Sequence, residues 1–257
     1  MRVGSEYMIS TYGKSKKDIE AMRKSGRVCA VILSQLIDSV SPGITSLEID
    51  EKARELIEAN DVDPAFLGYG GFPAVLCASV NDVAVHGVPA SARLVAGDII
   101  GLDFGVIADG WYSDSAVTVG VGSISPAAKR LIAAANEALR RGILQAKIGN
   151  RIGDISAAIQ AYVEREGFSV VRDLVGHGVG RELHEPPQVP NFGAANSGEK
   201  ITDGLVIAIE PIISAGSWKV RLAADGFGYE TIDGSLVAHF EHTVAVTSAG
   251  TEILTVG

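Results

Sequence analysis

Five side chains able to ligate a metal lie far apart in this chain: Asp103, Asp114, His177, Glu210 and Glu241. Each sits in an apolar or glycine-rich stretch, where a charge is costly unless something pairs with it. Four carboxylates drawn together would repel one another or take up protons, whereas two divalent cations would balance them. Ions roughly 3.5–4 Å apart can share a water, lower its pKa and stabilise a tetrahedral intermediate. The chemistry expected is metal-assisted hydrolysis of an amide, an ester or a phosphate ester. No basic side chains that could clamp a phosphate accompany these motifs, so amide hydrolysis leads. Oxygen donors with one imidazole suit manganese, iron, cobalt or zinc and do not choose among them.

The two aspartates belong to IIGLDFGVIA-DG-WYSDSAVTV. Asp109-Gly110 favours a two-residue primed turn between right-twisted strands. That turn sets Ala108 opposite Trp111 and Gly105 opposite Asp114. Asp103 shares the Gly105 face because side chains alternate, which makes the aspartates diagonal neighbours, roughly 7–8 Å apart at Cα. Gly105 is expected to leave room for an ion. Glu210 ends LVIAIE ahead of Pro211, with no Lys or Arg in the strand to pair with it. In SLVAHFEHTVAVT, His239, Glu241 and Thr243 share one face. His239, with Thr243 beside it, is expected to support the ligating carboxylates from behind, since such carboxylates need hydrogen-bonding partners. His177 and His184 lie in GHGVGRELHE, where glycines permit close backbone approach. His86 lies in NDVAVHGVP. Other chemistries find no support: GxSxG, CxxC, HExxH and GxGxxG are absent, and GYGGFP leads into no βαβ unit.

The elements that must position these residues read as helix, helix, strands, twice over. Ser15 and Asp18 start a helix over 16–40, and Thr45 or Ser46 starts a second over 46–60. Strands follow at 74–80, 98–108 and 111–121. Ser125-Pro126 opens a helix over 126–147, and a fourth runs over 154–166. The segments 204–213 and 235–247 read as strands. Gly43 precedes Glu48-Ile49 at the spacing with which Gly149 precedes Asp154-Ile155. The expected fold is α+β, a duplicated unit with a central antiparallel sheet and flanking helices. It forms one domain over 1–257, with halves of roughly 15–122 and 123–257 and an N-terminal extension over 1–14.

At 257 residues the chain can bury a large core. A net charge of −9 argues against a direct nucleic-acid site. Cys29 and Cys77 alone make no disulfide framework, which suits a reducing cytoplasm. The N-terminal residues lack a signal-peptide apolar region, and no run is long enough to span a membrane.

Taken in order and spacing, FLGYGGFPAVLCASVNDVAVHGVP, GDIIGLDFGVIADGWYSD, GHGVGRELHEPPQV, IAIEP and FEHTVAVT make the chain resemble the type I methionine aminopeptidases of the pita-bread fold, of the M24 type, from about residue 15 to the C-terminus. The resemblance implies two divalent ions. Asp103 would chelate one and His177 would bear on the other, with Asp114 and Glu241 bridging both. Glu210 would be a ligand and the proton shuttle for a bridging hydroxide. His184 would hydrogen-bond the scissile carbonyl, and His86 would sit near the scissile amide. Phe66, Tyr69, Phe72, Cys77, Leu183 and Phe227 would line a methionine pocket. Phe66 and Phe227 stand where many bacterial relatives have Cys and Trp, Leu183 where Phe is frequent, and His239 where Gln is frequent. The implied activity is removal of initiator methionine from nascent proteins with a small second residue, by a monomer in transient contact with the ribosome. A single-domain Xaa-Pro peptidase and a non-catalytic peptide-binding module of the same fold are the alternatives.

Overall fold

The computed structural model describes residues 13–257. Ser15 opens α1 (Lys16–Ser39): its hydroxyl accepts the Asp18 amide while the Asp18 carboxylate accepts the Ser15 amide. This reciprocal cap satisfies amides that have no partner inside the helix. Thr45 and Glu48 repeat it on α2 (Ser46–Ala59). In the second half Ser125 caps α3 (Pro126–Gln145), with proline at its first position. Asp154 takes the Arg151 amide at the start of α4 (Ile152–Arg165). That helix begins ahead of the expected Asp154. Gly153 lies in its first turn because a Cβ there would come within 2.3 Å of the Ala194 carbonyl oxygen.

The hairpin Ile99–Ala108 and Trp111–Gly120 turns at Asp109 and Gly110, both with positive φ (53° and 72°). Ala108 faces Trp111 and Gly105 faces Asp114, the register expected from the sequence. Glu241–Thr247 pairs with the second hairpin strand on one side and Leu205–Ile209 on the other, and Gly176–Gly178 and Glu185–Val189 follow. One antiparallel nine-stranded sheet thus takes strands from both halves of the chain. Ile100, Leu102, Phe104 and Val106 pack on α1 and α2, so Asp103 alternates to the opposite face. Residues of α3 and α4 pack on Ile207, Ile209, Val244 and Val246.

The duplication is written in the backbone. The Gly43 amide bonds the Leu94 carbonyl and the Leu94 amide bonds that of Ile44; Gly149, Ile201 and Asn150 repeat the arrangement. Gly97 donates to Val121 as Gly204 donates to Val246. Asp103 follows Gly97 at the spacing with which Glu210 follows Gly204. The fold is the pita-bread α+β architecture.

Three expectations need correction. The segments 204–213 and 235–247 are not continuous strands. The first divides into Leu205–Ile209 and Ile212–Ser214, the second into Val237–His239 and Glu241–Thr247. Pro211 has no amide for a ladder, and its carbonyl takes the Phe240 amide, so both chains cross together into a smaller sheet. The strand expected over 74–80 begins only at Cys77, because the buried Asp50 carboxylate of α2 takes the Val75 and Leu76 amides at 2.9 and 3.1 Å. Of the expected extension, residues 1–12 lie outside the described part. Lys14 belongs to the folded body: its amide bonds the Gly204 carbonyl at 2.7 Å and its ammonium pairs with Glu185. Among the described residues no helix is long and apolar enough to cross a membrane.

Asp50→Ala would strand two buried amides and release Arg54, whose Nε donates to the same carboxylate at 2.8 Å. Each buried unpaired group costs about 1–3 kcal/mol. A loss of roughly 2–6 kcal/mol of stability, read as a lower urea midpoint with an unchanged m-value, is expected.

Candidate metal centre

The hairpin register brings Asp103 and Asp114 to the face away from α1 and α2. The strand breaks at Pro211 and Phe240 deliver Glu210 and Glu241 to the same place. His177 arrives on a strand of glycines, since a Cβ at Gly176 would lie 2.4 Å from the Ala208 oxygen and one at Gly178 2.2 Å from that of Pro186. His177 Nδ1 donates to the Gly178 carbonyl at 2.9 Å. That bond leaves the Nε2 lone pair facing Glu210 Oε1 at 3.7 Å and Asp114 Oδ2 at 3.9 Å. His239 Nε2 lies 3.6 Å from Glu210 Oε2 and 4.0 Å from Glu241 Oε2. Asp114, His177 and Glu241 each offer a ligand atom within 4.8 Å of the others.

These separations are too long for hydrogen bonds. They suit donors arranged around an ion at about 2.0–2.2 Å from each. Asp103 Oδ1, Asp114 Oδ1, Glu241 Oε1 and His239 Nε2 are buried without a hydrogen-bond partner. Orphaned acceptors in such a cluster are what a divalent cation would complete, and the donor set fits one. Burial first, then neighbouring carboxylates, pushes Asp103, Glu210 and Glu241 well above the usual carboxylate range. Burial raises Asp114 to about 7. Burial also lowers His177 and His239 to about 3, which keeps both imidazoles neutral and leaves His177 a lone pair on Nε2 to offer.

All five candidate ligands border one cavity of about 300 Å³. His86 and His184 line it, as do Phe66, Tyr69, Phe72, Cys77, Leu183 and Phe227. Phe72 and Phe227 meet edge to face, their centroids 5.6 Å apart. Cys77 lies opposite Asp103 in the sheet, so the thiol borders the carboxylates. His86 is held at a positive φ of 56°, and burial lowers its pKa to about 4. Burial likewise lowers His184, whose Nδ1 meets the Tyr69 hydroxyl. His239 lies behind the two glutamates. Thr243 does not reach a carboxylate: its hydroxyl donates to the Asp114 carbonyl at 2.8 Å and accepts the Asp114 amide at 3.0 Å. Gly105 does not make room for an ion. A Cβ there would lie 2.9 Å from Ala65 Cβ and 3.1 Å from the Phe66 ring, so the gap admits those side chains instead.

Sequence reasoning missed several supports. Asn191, fully buried, donates to the Glu210 carbonyl at 2.8 Å. Ser115 donates to the Glu241 carbonyl, and Thr118 bonds both backbone groups of His239. Val85, Leu222 and Tyr229 complete the cavity wall. The signal for Ser115 and Thr118 was small polar residues inside the strand SDSAVTV, while Asn191, in QVPNFG, lies outside that strand. For the wall there was none, because it is assembled from distant strands.

Residues 20–248 match the family described as Metallopeptidase family M24, and the chain belongs to that family. Its members depend on divalent metal, and the cage above is the candidate site. Within the family the chain is 48% identical to a methionine aminopeptidase of Clostridium perfringens, over 94% of this chain and 97% of that one. A crystal structure of a methionine aminopeptidase from Thermotoga maritima superposes with a TM-score of 0.93 at 43% identity, over 95% of this chain and 98% of that one. A prolidase from Pyrococcus horikoshii shares the fold alone, with a TM-score of 0.78 at 23% identity, and this chain covers 63% of it.

A proton on Asp114 competes with a cation for the same oxygens. Because its pKa lies near 7, the proton is present below that pH and leaves above it. Because Asp103, Glu210 and Glu241 are raised as well, affinity for Mn²⁺, measured by titration calorimetry in several buffers, is expected to rise steeply with pH between pH 5.5 and 7, by about tenfold per pH unit or more. Proton release should accompany binding, and affinity independent of pH over that range contradicts the assignment.

Proposed function

We propose that this chain is a methionine aminopeptidase, removing the initiator methionine from new proteins whose second residue is small. The observation that carries the reading is one partly open cavity with two unlike sets of lining residues. One set is a cage of carboxylates and imidazole; the other is a wall of Phe66, Phe72, Phe227 and Leu183 with the Cys77 thiol. A volume of about 300 Å³ suits one long side chain and a chain end. Aromatic rings favour a thioether through dispersion and sulfur–aromatic contact.

Asp103, Asp114, His177, Glu210 and Glu241 would hold two divalent ions. When bound, such ions supply Lewis acidity toward the scissile carbonyl and lower the pKa of water. The chain's own groups do the rest. Glu210, with His177 on one oxygen and His239 toward the other, is placed to take a proton from the attacking water and pass it to the leaving amine. His184 donates to the carbonyl oxygen as negative charge develops there. His86 stands on the cavity wall where the leaving nitrogen would emerge. His239 and Thr243 act from behind, one beside the two glutamates and one on the Asp114 backbone. The substrates on this reading are methionyl peptides and nascent chains, met by a cytoplasmic monomer through transient ribosome contact.

The test is a peptide series with the wild-type chain. Release of methionine from Met-Gly peptides, falling steeply as the second residue grows, is expected. Turnover only of peptides with proline second would point to an Xaa-Pro peptidase instead. Glu210→Gln and Asp103→Asn should each abolish turnover with circular dichroism unchanged. His184→Ala should lower kcat by about 10²–10³, the cost of one oxyanion donor, with metal affinity little altered. Near-native kcat in any of the three refutes the roles given.

A further inference from the structure

Tyr69 stands on a turn made with glycine at Gly68, Gly70 and Gly71, whose φ values are 82°, 54° and 86°. This turn carries one phenol to one imidazole. The Tyr69 hydroxyl lies 2.6 Å from His184 Nδ1, and the rings meet edge to face with centroids 5.1 Å apart. His184 in turn meets the His177 ring at 4.2 Å, its plane inclined by 78°. The His184 ring is therefore held on two sides, and one of its nitrogens is already engaged.

We propose that Tyr69 is a positioning residue for His184: its hydroxyl donates to Nδ1 and so fixes the tautomer that carries the proton on Nε2. A neutral imidazole has one donor and one acceptor nitrogen, and the partner of one decides the role of the other. A phenol is the better donor of the pair, so Nδ1 accepts. Nε2–H is then left to donate to the scissile carbonyl, which is the role that the proposed function gives to His184 and on which this inference rests. The opposite tautomer would turn a lone pair toward the developing oxyanion. Tyr69 is 47% exposed, so its hydroxyl could be solvated and its ring adds little to the core. Its contact with His184 is what the turn achieves.

Tyr69→Phe keeps the ring and removes only the donor. In the zinc-loaded full chain labelled with ¹⁵N-histidine, wild-type His184 should show an unprotonated Nδ1 and a protonated Nε2. The variant should show a mixture of tautomers. On a Met-Gly peptide kcat should fall about tenfold with KM little changed, the loss expected for one neutral hydrogen bond expressed in the transition state. In a His184→Ala background the same substitution should add nothing. A wild-type proton on Nδ1, an unaltered kcat, a change confined to KM, or a full loss persisting without His184 would each overturn the proposal. The tautomer spectrum needs no turnover. A wild-type chain that cleaves no methionyl peptide would therefore sink the peptidase reading without touching the Tyr69–His184 bond.

Discussion

Three carboxylates are buried side by side with a fourth, Glu210, mostly covered beside them, and no lysine or arginine among the described residues pairs with any of them. This is the constraint around which the rest of the molecule is arranged. Burial raises the pKa of all four, and neighbouring carboxylates raise those of Asp103, Glu210 and Glu241 further. A core meant only for stability would place apolar groups there. The supports around the cluster do not neutralise it either. Asn191, Ser115, Thr118 and Thr243 hold backbone groups next to the ligating residues and leave the carboxylate oxygens unengaged. Oxygens that are fixed in place yet have no partner are set up for cations.

The duplicated scaffold explains how residues so distant in sequence meet. Each half offers a strand entered from a positive-φ glycine, Gly97 in one and Gly204 in the other, with an acidic residue at the same spacing beyond it. Joining Glu241–Thr247 to Trp111–Gly120 fuses the two sheets and sets Asp103 and Glu210 on either side of the seam. The helices pack on the far face. The near face is thereby free for the cavity, whose polar end is held by hydrogen bonds from Asn191, Ser115, Thr118 and Thr243 to the backbone. Such anchoring matters because hydrolysis gains from groups already oriented for the developing charge.

Much of this was legible in the residues, and the exceptions have a common cause. The hairpin register followed from Asp109-Gly110 alone, because a two-residue turn fixes every pairing that follows. The caps at Ser15, Thr45 and Ser125 are local as well, each needing only a partner within a turn of helix. What failed depended on distant neighbours. Alternation carried straight through Glu210 and Phe240, although the Pro211 carbonyl ends both strands by taking an amide from the other segment. Gly105 read as space for an ion because the occupants of that space, Ala65 and Phe66, come from a loop elsewhere. Asn191 and Ser115 look like ordinary polar residues until their acceptors, the Glu210 and Glu241 carbonyls, are in place.

The most direct test of the whole account is anomalous diffraction from crystals of the full chain equilibrated with Mn²⁺. Two peaks roughly 3.5–4 Å apart, enclosed by Asp103, Asp114, His177, Glu210 and Glu241, are what the charge argument requires. Density that places manganese only on the protein surface, with those carboxylates still packed against one another, would contradict it.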